Sequence, residues 1–178
     1  TAIAYGLLVP GMVLLGLFML APIGYGLYLS VNAFDGLRVG DFVGLRNYIA
    51  VLSDPGFRGS LWQTVGFAVI IVIGKNVAGL ALALLVSLPL RFARTARTIL
   101  FLPVTLNIIV VGAFWTYFLQ AARFGGLFNQ MLEAVGLGFL ATSWLASPQT
   151  ALYSVAFIEI WRWAGLHMLI FLAGMQAI

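Results

Sequence analysis

No cysteine occurs in the 178 residues, so disulfides, thiolate metal sites and a cysteine nucleophile are excluded, and the redox compartment is left unmarked. Histidine occurs once and acidic residues five times. That leaves no HExxH stretch and no closely spaced pair of carboxylates for acid–base work. Gly74-Lys75 invites comparison with a phosphate-binding loop, yet Val69 stands where that loop's first glycine belongs and Asn76 where a magnesium-holding Ser or Thr belongs. Gly59-Ser60 is no nucleophile elbow, because Leu61 follows it and no strand precedes it. The chain reads as a non-enzyme.

Charge is the other scarcity. Charged residues make up 8% of the chain against 63% hydrophobic and 14% aromatic, and the mean hydropathy is +1.10. A soluble domain carries about 25% charged residues, so this chain cannot present a soluble protein's surface. It reads as an all-α, polytopic transmembrane bundle. The net charge of +4 and pI near 9.9 would point to nucleic acid in a soluble protein. Here nine basic residues are spread thinly among apolar spans and serve as topology signals, with no nucleic-acid partner implied. Thr1 in place of Met, and Ile178 inside an apolar run, read as a chain cut at both ends.

Four spans are expected, at about 6–30, 62–88, 98–121 and 151–178, with outer loops at 31–61 and 122–150 and a cytoplasmic loop at 89–97. Residues 6–30 contain no charge. They make about 37 Å of helix at 1.5 Å per residue, against roughly 30 Å of hydrocarbon, and exceed the apolar core of a signal peptide. Pro22 is expected to kink this span rather than end it. Lys75 alone interrupts the second span. The connection "LPLRFARTART" carries Arg91, Arg94 and Arg97 with no acid, which places it in the cytoplasm. Arg38, Arg46 and Arg58 equal it in number but are dispersed over a longer connection.

Both outer loops contain helical periodicity. Leu45, Tyr48, Ile49 and Leu52 share a helix face before "SDPG" breaks the pattern, and Leu127, Met131 and Val135 recur every four residues between glycines. Each is expected to be a short interfacial helix. Small residues four apart, Gly79, Ala83 and Ser87, or Ala173 and Ala177, permit close helix contact.

The stretch "FIEIWRWAGLHMLIF", 157–171, sets Glu159, Arg162 and His167 in an otherwise apolar span. At 100° per residue Arg162 lies about 60° from Glu159 on one side and His167 about 80° on the other, so one broad face carries all three beside Trp163. Lipid penalises a central Lys or Arg by roughly 2.5–3.5 kcal/mol. Lys75, Asn76, Asn107, Glu159, Arg162, Trp163 and His167 are therefore expected to face protein or water, as candidates for a solute path. Two readings stay open. Glu159 and Arg162 neutralise each other while Lys75 snorkels or pairs with Glu159, or the set lines a path for a hydrophilic solute that needs hydrogen-bond partners outside water. His167 without a carboxylate chain reads better as a packed histidine than as a proton relay. Trp115, Tyr117, Trp161 and Trp163 read as interface anchors before sugar-stacking surfaces.

Taken together, "APIGYGLYLSVNAFDG", "FVGLRNYIAVLSDPGFRGSLWQTVGF", "GLALALLV", "RTARTILFLPV", "FGGLFNQMLEAVGL", "WLASPQTAL" and "MLIFLAGMQAI" resemble, in order and over nearly the whole chain, the membrane permease subunits of binding-protein-dependent ABC sugar importers of the maltose and glycerol-phosphate type. The resemblance implies part of a transmembrane domain, here 1–178, in a multi-pass protein of the prokaryotic cytoplasmic membrane. It implies a second homologous permease, two ATPase subunits and an extracytoplasmic solute-binding protein as partners. ATP and magnesium would be bound by the ATPase, with no cofactor in this chain. Transport of a sugar, polyol or sugar phosphate would proceed by alternating access. In the family "LAGMQAI" leads into a cytoplasmic loop whose EAA-type motif docks on the ATPase, and no residue of this chain corresponds to it. Two other readings compete: an ion-coupled secondary transporter using Glu159 and His167 as titrating groups, and a non-transporting assembly subunit whose charges only pair helices.

Overall fold

In an apolar surrounding every backbone N–H and C=O must find its partner within the protein, which favours long helices. The computed structural model describes residues 2–89 and 91–176 and is built mainly that way. Two compact units divide the chain, Thr1–Trp62 and Gln63–Ile178, with the boundary inside one long helix.

In the first unit, α1 (Ala2–Leu15), a π-helical turn (Gly16–Leu20) and α2 (Ala21–Ser30) form one helical run. The Ala21 N–H donates to the Gly16 carbonyl, five residues back. This widened turn lies directly before Pro22, whose missing N–H and bulky ring disturb the ladder, so the helix accommodates the proline without ending. Large side chains on all sides, Leu7, Phe18 and Leu27 among them, are exposed, as in a helix meant for an apolar environment.

An antiparallel hairpin follows, β1 (Asn32–Phe34) and β2 (Val39–Phe42), with Asn32 opposite Phe42 and Phe34 opposite Val39. The outer-loop reading did not include it. Its turn is formed by the Asp35 carboxylate, which accepts from the Leu37 and Arg38 N–H groups at 2.9 and 2.7 Å, and by Gly36 at φ +95°. The short helix expected from Leu45, Tyr48, Ile49 and Leu52 is present as α3 (Arg46–Ser53). Asn47 Nδ2 donates to the Ser30 and Asn32 carbonyls at 3.0 and 2.9 Å, fastening α3 to the end of α2. "FVGLRNY" is thus a structural fastener. Asp54 then accepts the Phe57 N–H at 2.6 Å and Pro55 opens α4 (Pro55–Ser87). "SDPG" therefore caps the next helix as well as ending α3, which is why α4 begins ahead of residue 62.

In the second unit α4 ends at a basic turn, where Arg97 Nη2 donates to the Val86 carbonyl at 2.9 Å, one of the carbonyls a helix end leaves open. Residues 98–121 do not make one straight helix. They fall in α5 (Ala93–Thr105) and α6 (Ile108–Phe118), bent by 96°. Leu106 adopts an extended conformation after Pro103, and Asn107 caps α6 by accepting the Ile109 N–H at 2.8 Å. A single 3₁₀ turn, α7 (Leu127–Ala134) and a second 3₁₀ turn lead to α8 (Ala151–Gln176); α7 is the second expected short helix, with Gly125 and Gly136 at φ +84° and +81° on its flanks.

Among the described residues three helices are long and apolar enough to cross a membrane, Gly6–Ser30, Pro55–Ser87 and Ala151–Gln176, and the bent α5–α6 pair makes a fourth if it is one span. Ala83, Val86, Met168 and Leu172 form a buried core with Ala96 and Leu100 against it. It forms where glycines let backbones touch: a Cβ on Gly165 would overlap the Leu100 carbonyl, and one on Gly79 would overlap His167 Cβ. Gly79 and Ala83 are buried there while Ser87 is exposed; the pairing of Ala173 with Ala177 falls outside the described residues.

Candidate functional site: a charged cluster between α4 and α8

Gly74 and Gly79 of α4 lie against Ile160 and His167 of α8, so the intervening Lys75 is brought to Glu159. Lys75 Nζ donates to Glu159 Oε1 at 2.9 Å, with the two side chains 16% and 33% exposed. Arg162 takes no part in this pair. Among the described residues no carboxylate lies within ion-pair distance of it, and its Nε is buried without a hydrogen-bond partner. Both cations instead flank one indole: Lys75 Nζ lies 5.3 Å and Arg162 Cζ 5.4 Å from the Trp163 ring centre, a range in which the ring face attracts cations. His167 Nδ1 donates to the Trp163 carbonyl at 3.0 Å, a local bond along α8, and its Cβ rests against Gly79.

Lys75, Glu159, Arg162 and Trp163 thus converge, with His167 one turn on. Asn76 and Asn107 have local bonds instead: Asn76 Nδ2 donates to the Val72 carbonyl at 2.8 Å and Asn107 is the cap of α6. A pocket of about 260 Å³ opens between α6 and α8, with Glu159 and Arg162 as its charged walls beside Thr116 and Trp115. A second pocket of about 470 Å³ is aromatic and contains no charged group; Phe118, Phe128, Trp144, Tyr153 and Phe157 surround it with Trp115. Trp115 was expected to be an interface anchor. It is 9% exposed and packs edge-on against Trp161 and Phe157 at 5.3 and 5.7 Å, so it is part of the core.

No protein-family profile matches the chain. Over 172 residues, 96% of its length, it is 32% identical to a probable ABC transporter permease of Pyrococcus horikoshii, covering 58% of that protein. The chain belongs to the ABC transporter permeases. It is 33% identical over 175 residues to the sulfoquinovosyl glycerol transport system permease of Agrobacterium fabrum, with 97% of the chain and 55% of the relative covered. The crystal structure of a bacterial ABC transporter involved in the import of the acidic polysaccharide alginate has the same fold, with a TM-score of 0.81, 21% identity, and coverage of 99% of this chain and 58% of that one. The chain therefore spans less than two thirds of the relatives it matches. It is a multi-pass membrane protein and, as a permease chain, not a catalytic subunit.

One organising residue of this permease escaped the sequence reading. Asn129 of α7 is fully buried. Its Nδ2 donates to the Gln120 and Thr142 carbonyls at 3.0 and 2.8 Å, and its Oδ1 accepts from the Thr142 N–H and the Trp144 indole at 3.3 and 2.8 Å. Both donors and both acceptor sites of the amide are occupied. Trp144 in turn accepts, through its carbonyl, the Thr150 and Ser154 hydroxyls at the start of α8. The available signal was a lone asparagine in "GLFNQMLEA" beside the apolar stripe of Leu127 and Met131.

Proposed function

We propose that this permease is a subunit of an ATP-driven importer that moves a sugar, polyol or sugar phosphate across the prokaryotic cytoplasmic membrane. The observation that carries the reading is the charged cluster of Lys75, Glu159 and Arg162, set on apolar helices in a chain 33% identical to a sulfoquinovosyl glycerol permease. Lipid would penalise these groups, while a hydrophilic solute leaving water needs them. The partners are a second permease, two ATPase subunits that hold ATP and magnesium, and an external binding protein. The stretch 89–97, rich in arginine and free of acid, faces the cytoplasm, and the hairpin with α3, and the segment around α7, face outward. Nucleotide-driven switching of the permease pair exposes the cluster to each side in turn.

An ion-coupled transporter is not favoured. Among the described residues no ion pair joins His167 to a carboxylate, its bond being to the Trp163 carbonyl, and Glu159 is held by Lys75. The whole transporter in proteoliposomes decides between them: uptake requires internal ATP and persists when a protonophore collapses the gradient. Uptake without nucleotide that the protonophore abolishes would overturn the reading.

A further inference from the structure

We propose that Arg162 receives an anionic group, a carboxylate, sulfonate or phosphate, carried by the transported saccharide. This rests on the importer reading above. The cluster holds two cations and one carboxylate. Glu159 is committed to Lys75 at 2.9 Å, although Arg162 sits one turn away on the same helix. One positive charge is thus left unmatched in an apolar helix that penalises it.

The guanidinium is also held in a particular way. Its Cζ is 5.4 Å from the Trp163 ring centre, and its Nε–H is enclosed without a partner. Arg97 Nε and Trp115 Nε1 are enclosed without a partner in the same way; what sets Arg162 apart is that its orphan donor belongs to a cation with no carboxylate among the described residues, beside a pocket. Nε and a neighbouring Nη present two parallel N–H bonds from one edge of the guanidinium, the geometry that matches two oxygens of a carboxylate, sulfonate or phosphate. The adjoining pocket of about 260 Å³, lined by Arg162, Glu159, Thr116 and Trp115, is the size of about nine water volumes. The Thr116 hydroxyl is a hydrogen-bond partner for a sugar ring, and Trp115, part of the core, closes the apolar wall beside it. Lys75 cannot substitute for Arg162, because its charge is already met.

The test uses the intact transporter with its binding protein in proteoliposomes, and a panel of radiolabelled saccharides in matched pairs: a neutral disaccharide beside its uronate, sulfonate and phosphate counterparts. The expected result is that transported members are anionic. Arg162→Met raises the KM for them at least tenfold, with purification yield and complex formation kept, and Arg162→Lys, which keeps the charge but loses the fork, lies between. A neutral saccharide transported best, or Arg162→Met acting equally on neutral and anionic members, overturns the inference while leaving the importer reading intact. Failure of Arg162→Met to assemble, with Arg162→Lys assembling normally, also overturns it, by assigning the arginine to a neighbouring subunit's carboxylate. No uptake of any saccharide removes the saccharide reading and this inference with it.

Discussion

Lys75 on α4 and Glu159 on α8, 84 residues apart in sequence, meet at 2.9 Å, and their meeting decides the electrostatics of the second unit. A pair of opposite charges in low dielectric is costly to break from one side only, because the remaining charge is stranded.

Lys75→Met and Glu159→Gln should therefore each destabilise the purified permease by about 1–3 kcal/mol, below the ~3–5 typical of a fully buried pair because both side chains keep some exposure. Lys75→Met combined with Glu159→Gln should recover part of that loss. Thermal unfolding in detergent reads the cycle, and strictly additive effects would show that the two residues are not coupled.

Gly165 is the second sensitive point. A Cβ there would overlap the Leu100 carbonyl and approach Phe101, and backbone cannot rotate away as a side chain can. Gly165→Ala is expected to cost about 1–3 kcal/mol through overpacking, and Gly165→Leu to abolish the folded state. By contrast Gly112, with open space around it, should accept Ala with little change. Equal melting temperatures for Gly165→Ala and Gly112→Ala would refute the close contact.

Asn129→Leu fills a similar volume but leaves the Trp144 indole N–H, the Thr142 N–H and two carbonyls without their partner. Each buried orphan costs about 1–3 kcal/mol, so the loss should reach at least about 3 kcal/mol. Amide exchange should accelerate across 120–145 before it does in α4 or α8. Uniform acceleration would mean that the asparagine holds no local structure.

The hairpin turn gives a pH dependence. N–H donation from Arg38 and Leu37 lowers the Asp35 pKa below its ordinary value of 3.8. A carboxylate with a depressed folded pKa contributes stability above the unfolded value, and that contribution is lost as pH falls through the folded one. Hairpin amide protection should thus be constant from neutral pH down to about 4 and then decline, while Asp35→Ala is weakened at all these pH values and shows no such decline. A carboxyl titration by NMR at or above 3.8 would contradict the turn geometry.

Composition and apolar run length alone established the helical membrane architecture, because burying the backbone in lipid leaves so few alternatives. Local patterns also located α3 and α7, whose apolar stripes follow from residues a turn apart, and the ordered stretches from "APIGYG" to "LAGMQAI" carried the resemblance to sugar permeases. What depended on distant contacts was not legible. Glu159 had two candidate cations, Arg162 one turn away and Lys75 on another helix, and periodicity cannot choose between them. The crossing of α4 and α8 at Gly79 chose Lys75 and left Arg162 without a carboxylate among the described residues. The 96° bend between α5 and α6 had signals in Pro103 and Asn107, but each alone is compatible with a continuous span. Asn129 looks polar and exposed until the chain on both sides folds back onto it. Sequence determined which segments avoid water, a property of neighbours along the chain; tertiary structure decided which polar groups neutralise one another, because that depends on where backbones approach closely enough to touch.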